Sequence, residues 1–136
     1  MGSLSGAELA GERMTVALDT RDQEDEHSCF SDNTHKDLLN NELGIQNVYL
    51  GRYSSYDEVE GKGITHLVAE LDLELDQKMR TQIDNAIAAI EAINPPFDRA
   101  IIDQREQVSA AIAALRAQTE TIGEIAKLLG ISLNLE

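Results

Sequence analysis

Apolar residues recur in the last third of the chain at alternating spacings of four and three residues. The positions are Val108, Ile112, Leu115, Thr119, Ile122, Ala126 and Leu129. This spacing lines one narrow face of a helix, and that face leaves water only by packing on partner helices. Gly130 follows the pattern, where a glycine commonly ends a helix. The pattern predicts a long core helix that needs partners from the rest of the chain.

Two of those partners are predicted in the first 50 residues. Residues 5–8 fit the S-x-x-E capping box, so a first helix should begin at Ser5 and run to about Leu18. A second helix should begin after Asp32 or Asn33, either of which suits an N-cap, and should end near residue 50. Gly44 lies inside this second helix and predicts a kink or a close contact with another helix.

The remaining helical pattern lies between residues 65 and 94. Residues 65–71 indicate a short turn, and Asp72 is a suitable N-cap for a helix that carries Leu75, Met79, Ile83, Ile87 and Ile90. Pro95 and Pro96 should stop this helix, because proline disfavours the helical conformation in the residue before it. Residues 51–63 are rich in glycine, serine, tyrosine and charge, and are predicted to form a long internal loop. Tyr49, Tyr53 and Tyr56 around that loop are interpreted as packing residues.

These patterns predict a single all-α domain over residues 1–136, an antiparallel bundle of about four main helices. A chain of 136 residues can enclose one core, and a content of aromatic residues of only 4% favours helix over sheet. No apolar run approaches the roughly 18–20 residues of a membrane-spanning helix. The start of the chain lacks the basic and apolar regions of a signal peptide.

The formal net charge is -14. Such a field repels phosphate backbones, so nucleic-acid binding is not expected, and it attracts cations. Its simplest role is to keep the protein soluble. The single cysteine, Cys29, allows no internal disulfide and is interpreted as a small apolar residue.

Residues 24–35, here called the polar block, hold the densest group of possible ligands in the chain. Candidate cleft residues are Glu24, Glu26, His27, Ser28, Ser31, Asp32 and His35. Imidazole and carboxylate groups suit iron or zinc, so His27, His35, Glu24 and Asp32 are the candidate metal ligands. If the block were one helix, Glu24, His27, Ser28, Ser31 and His35 would share a face. The alternative is that these groups are solvated or hydrogen-bonded structural residues.

Five segments resemble the C-terminal half of imelysin-like proteins: residues 8–14, 23–35, 44–51, 96–98 and 129–135. The resemblance implies one half of an all-helical fold made of two bundles, in exported bacterial proteins that are periplasmic or associated with the outer membrane. It also implies a link to iron uptake, and the missing N-terminal half as partner. The family's G-x-H-x-x-E motif is absent, because Phe30 and Leu38 stand three residues after the two histidines of the block.

The resemblance favours a non-catalytic binding domain whose polar block contributes to a metal or ligand cleft. A metallopeptidase fragment is the first alternative, but the zinc signature H-E-x-x-H is absent. The second alternative is a structural scaffold or interaction domain. An isolated half would expose the face that its partner covers, and a homodimer could then form through it.

Overall fold

The computed structural model describes residues 1–53 and 59–132. A π-helix over Ser3–Thr15 continues directly as α1, Val16–Thr20. The other helices are α2, Thr34–Leu50, α3, Ile64–Leu71, α4, Leu73–Glu91, α5, Phe97–Asp103, and α6, Arg105–Leu128. A short 3-10 helix covers Gln23–Asp25. The all-α prediction is confirmed.

The long helix α6 is the centre of the bundle, with the π-helix and α4 packed against it and α2 packed on α4. The π-helix and its continuation α1 run antiparallel to α6. Ser5 is hydrogen-bonded to Leu115, whereas Leu18, further along in α1, is hydrogen-bonded to Arg105, nearer the start of α6. Helix α6 ends as predicted. Gly130 has a φ of +68°, and the N–H of Ile131 donates back to the carbonyl of Ala126. The predicted stripe therefore does form the seam of the core.

Two groups of buried apolar side chains make up the core. One lies around the π-helix, α2, α5 and the first half of α6, and includes Leu9, Leu38, Phe97 and Leu115. The other lies around α3, α4 and the end of α6, and includes Tyr49, Val68, Met79, Ile83, Ile122 and Ile125. The predicted packing role of Tyr49 is thus confirmed by its complete burial.

Two local predictions about helix geometry fail. Ser5 does not cap the first helix, because that helix begins at Ser3 and the buried Ser5 hydroxyl donates to the carbonyl of Leu115. Gly44 makes no close contact, since a Cβ at that position would have open space around it. The close approach lies instead at Gly6, where an added Cβ would come 2.8 Å from Thr119 Cγ2.

The segment predicted as a loop, 51–63, contains two paired strands. β1, Arg52–Tyr53, and β2, Val59–Glu60, run antiparallel. Residues 54–58 and 133–136 lie outside the described residues, and with them Tyr56 and the end of the last segment that resembles the imelysin-like proteins. Asp72 caps α4 as expected, accepting from the amide of Leu75 at 2.9 Å.

The described part of the chain exposes several large apolar side chains. Leu67, Leu71 and Leu73 stand out at the junction of α3 and α4. Dimerisation through such a face stays a prediction. No helix within residues 1–53 and 59–132 has both the length and the apolar character to cross a membrane.

Candidate functional site

The polar block is a compact turn, not a helix. Arg21 has a φ of 60° and ends α1, and Asp32 has a φ of 51° just before α2 begins. Between α1 and α2, a single 3-10 turn is formed by Gln23–Asp25. The Asp22 carboxylate caps this turn and accepts a hydrogen bond from the amide of Glu24 at 3.0 Å. The shared helical face considered for the block is therefore absent.

Side-chain hydrogen bonds hold this turn in shape. The amide group of Gln23 donates to the carbonyl of Cys29 and to Oδ1 of Asp32, both at 2.9 Å. The backbone N–H of Ser28 donates to the Thr34 hydroxyl at 2.9 Å. Phe30 stands at the tip of the turn with 98% of its surface exposed. The block is thus a fixed turn that presents an aromatic ring to solvent.

His27, Ser28 and Asp37 meet where the turn folds back onto the first turn of α2. The Ser28 hydroxyl donates to Oδ2 of Asp37. Nδ1 of His27 lies 3.3 Å from the same carboxylate oxygen and 3.4 Å from Oγ of Ser28. Because the Ser28 proton is already given to Asp37, both atoms facing Nδ1 are acceptors. The proton of a neutral His27 ring therefore sits on Nδ1, which leaves the lone pair on Nε2.

Glu26 is the buried member of the block. Its side chain is only 4% exposed, and neither carboxylate oxygen has a hydrogen-bond partner among the described residues. Burial is the main reason why the pKa of Glu26 is raised. The nearby Thr34 hydroxyl acts against this rise, although it forms no hydrogen bond with the carboxylate, and the carboxylates of Asp98 and Asp32 add to it. A carboxyl group in this position favours a proton or a cation beside it.

The other predicted site residues lie around this centre with different exposures. Glu24, Ser31 and Asp32 are exposed, and His35 is half-buried, with an Nδ1 atom that is buried and has no partner in the described part of the chain. Within residues 1–53 and 59–132, no group of three or more His, Cys, Asp or Glu side chains is arranged to hold a metal ion. Metal binding by His27, His35, Glu24 and Asp32 stays a prediction.

Sequence reasoning missed two acids that belong to this centre, Asp37 and Asp98. Asp37 is ten residues from His27 and reaches it only because the chain reverses at the turn. Asp98 belongs to α5, a helix that was not predicted, and it comes near Glu26 across more than 70 residues of sequence. The only signal for Asp37 was an acidic residue in the first turn of a helix, which is too common to single out a site.

Comparison with known proteins agrees with the fold. The family model described as imelysin, peptidase M75, matches residues 1–122. The structure resembles a crystal structure described as an iron-regulated protein A precursor from Parabacteroides distasonis, with a TM-score of 0.74 and 25% sequence identity. The match covers 93% of this chain but 37% of that protein, so the chain spans well under half of its length. No curated protein matches the chain.

Proposed function

This chain belongs to the imelysin family, and we propose that it is a non-catalytic binding domain of a periplasmic member that takes part in iron uptake. The polar block contributes one edge of a metal or ligand site. The remaining ligands come from a second part of the protein. This part corresponds to the region of the P. distasonis relative that the present chain does not cover. Iron or zinc is the expected metal, since imidazole and carboxylate groups suit both.

The orientation of His27 carries this proposal. Histidines that bind metals almost always donate their other ring N–H to a carboxylate, a carbonyl or water, which fixes the ring with its free nitrogen toward the metal. His27 has that arrangement, with Nδ1 turned toward Ser28 and Asp37 and no partner for Nε2 among the residues that the structure describes. Asp37 is then a positioning residue, because it holds both Ser28 and His27.

Calorimetric titration of ferrous, ferric and zinc ions into the complete protein that carries this domain tests the proposal. His27→Ala is expected to abolish or strongly weaken the affinity of one of these ions. Asp37→Ala should weaken that affinity by roughly 10- to 100-fold, the usual effect of losing a group that orients a ligand. His66→Ala is the matched control, because His66 is an exposed histidine on α3. Equal affinities in His27→Ala and wild type would overturn the proposal and favour a scaffold.

A hydrolytic role for the same three residues is a weaker candidate. A serine nucleophile needs an imidazole that accepts its hydroxyl proton. Here the Ser28 hydroxyl donates to Asp37, and His27 faces it with a nitrogen that carries a proton. Peptide cleavage that is lost in Ser28→Ala would revive this candidate.

A further inference from the structure

A second polar cluster lies inside the bundle, away from the polar block. Ser5 from the π-helix, Glu42 from α2 and Gln118 from α6 are all completely buried. Nε2 of Gln118 donates to Oε2 of Glu42 at 3.2 Å and to Oγ of Ser5 at 3.0 Å. The Ser5 hydroxyl donates in turn to the carbonyl of Leu115 at 3.0 Å. We call these three side chains the core polar cluster.

The number of hydrogen atoms in this cluster does not match the number of acceptors. Both N–H groups of Gln118 and the O–H group of Ser5 are already used. Two buried oxygens, Oε1 of Glu42 and Oε1 of Gln118, have no partner among the described residues. A buried oxygen that is left unpaired destabilises the folded state. One additional proton on Glu42 would supply a donor for the Gln118 oxygen.

We propose that Glu42 is a neutral carboxylic acid in the folded protein and that its O–H donates to Oε1 of Gln118. The carboxyl and amide groups then form a closed pair, with one N–H···O and one O–H···O hydrogen bond. This pair joins α2 to α6, and through Ser5 it also joins the π-helix. Because the second bond exists only while Glu42 keeps its proton, the packing of three helices strengthens in acid and weakens in base.

Among the described residues no cation forms an ion pair with Glu42, and several charged groups on the neighbouring helices bond to other residues. Arg13 pairs with Glu8 and Glu12, Arg116 contacts Thr15, Arg80 pairs with Asp76, Lys78 pairs with Glu124, and Asp84 accepts from Gln46. Burial accordingly raises the pKa of Glu42 to about 7, against the smaller opposing effect of the Gln118 hydrogen bond. An ordinary glutamate, as in the unfolded chain, has a pKa of 4.5.

The sign of the pH dependence follows from these two values. Between pH 4.5 and about 7 the folded protein holds a proton on Glu42 that the unfolded chain has released. The stabilisation is therefore fully present below pH 4.5 and is lost as the pH rises through about 7. The expected change in the unfolding equilibrium constant across this window is on the order of a hundredfold.

The test compares urea denaturation of wild type, Glu42→Gln and Glu91→Gln at a series of pH values from acid to mildly basic. A glutamine at position 42 can form the same closed pair with Gln118 but cannot titrate. Between acid and neutral pH, the folding equilibrium constant of wild type should fall about a hundredfold more than that of Glu42→Gln. Glu91→Gln, at an exposed position on α4, should follow the wild-type profile. Parallel profiles for wild type and Glu42→Gln would overturn the proposal.

Carbon-13 NMR of the glutamate side chains in the wild-type protein gives a second result that does not depend on any variant folding. One buried carboxyl should titrate near neutral pH, and its resonance should be missing from Glu42→Gln where that variant folds. The proposal also fails if every glutamate carboxyl titrates in the ordinary range apart from Glu26, whose resonance is assigned by Glu26→Gln.

Discussion

Glu42, at 0% exposure, and Asp76, at 3%, are both buried among the helices, yet their pKa values shift in opposite directions. Glu42 receives one hydrogen bond, from a neutral amide, and burial raises its pKa to about 7. Burial also acts to raise the pKa of Asp76, but hydrogen bonds from Thr65, Arg80 and Tyr49 outweigh it and the pKa is lowered. Burial alone therefore does not decide whether a core acid is charged; the donors around it do.

The donors of Asp76 form a closed network. Thr65 donates at 2.6 Å, Tyr49 at 2.8 Å and Nε of Arg80 at 2.8 Å, and Arg80 also donates to the Thr65 hydroxyl at 2.6 Å. The network ties the end of α2 and the start of α3 to α4. Asp76 thus stabilises the fold as an anion, whereas Glu42 is proposed to do so as a neutral acid.

Replacing the anion should have the largest effect. Asp76→Ala leaves three donors without their acceptor and is expected to lower the free energy of unfolding by about 3 kcal/mol. Urea denaturation at neutral pH measures it, with Asp84→Ala on the exposed side of α4 as the control. A loss no greater than that of the control would show that Asp76 does not stabilise the fold as an anion.

Asp76 should also shape the acid side of the stability profile. Its lowered pKa means that its contribution is present above its ordinary pKa of 3.8 and is lost as the pH falls through the folded value. Asp76→Asn should therefore flatten the profile in acid, and Glu42→Gln should flatten it toward neutral pH. Profiles that change on the same side for both variants would remove the contrast between the two acids.

An intermediate effect is expected at the donor of Glu42. Gln118→Leu removes both hydrogen bonds of the proposed closed pair and leaves the buried Glu42 carboxyl without them. Ser5 loses its contact in the same variant, and the free energy of unfolding at pH 5 should fall by about 2 kcal/mol. Urea denaturation at pH 5 measures the change, with the exposed Glu91→Gln as the control, and a loss no greater than that of the control would contradict the picture.

The smallest effect is expected when one of the three donors to Asp76 is removed. Tyr49→Phe keeps the buried ring but removes the hydrogen bond to Asp76, so the loss should be about 1 kcal/mol. The pKa of Asp76 should move back toward its ordinary value by part of its shift. Tyr53→Phe, in the exposed strand β1, serves as the control and should leave thermal denaturation unchanged. Equal losses in the two variants would mean that the Tyr49 hydroxyl stabilises nothing.

Much of the helical framework was predictable because it rests on periodic burial of apolar side chains. Val108, Ile112 and Leu115 are buried as the stripe on α6 requires, and Asp72 caps α4 with a local hydrogen bond. Both features depend on residues close together in sequence. The short helix α5 was missed, since its seven residues are too few to show a period.

The polar centres were not predictable in the same way. Gln118 lies beside the predicted stripe and Glu42 lies among polar neighbours, and nothing local marks either as buried. Ser5 matched a capping pattern, yet its helix begins earlier and its hydroxyl bonds to a residue 110 positions away. At the candidate site the sequence marks the polar block as a group of possible ligands, but the geometry of the block depends on Asp37, which only the folded turn brings to His27.

The close seating of the π-helix on α6, with Gly6 against Thr119, has a consequence for biosynthesis. The first helix of this segment emerges from the ribosome long before the surface that receives it. At about 5–20 residues per second, it waits roughly 5–20 seconds for α6 to be made. During that time Leu9, Ala10 and Met14, all buried in the finished fold, have no partner from α6. The apolar face of the first helix is therefore covered only after α6 has been synthesised.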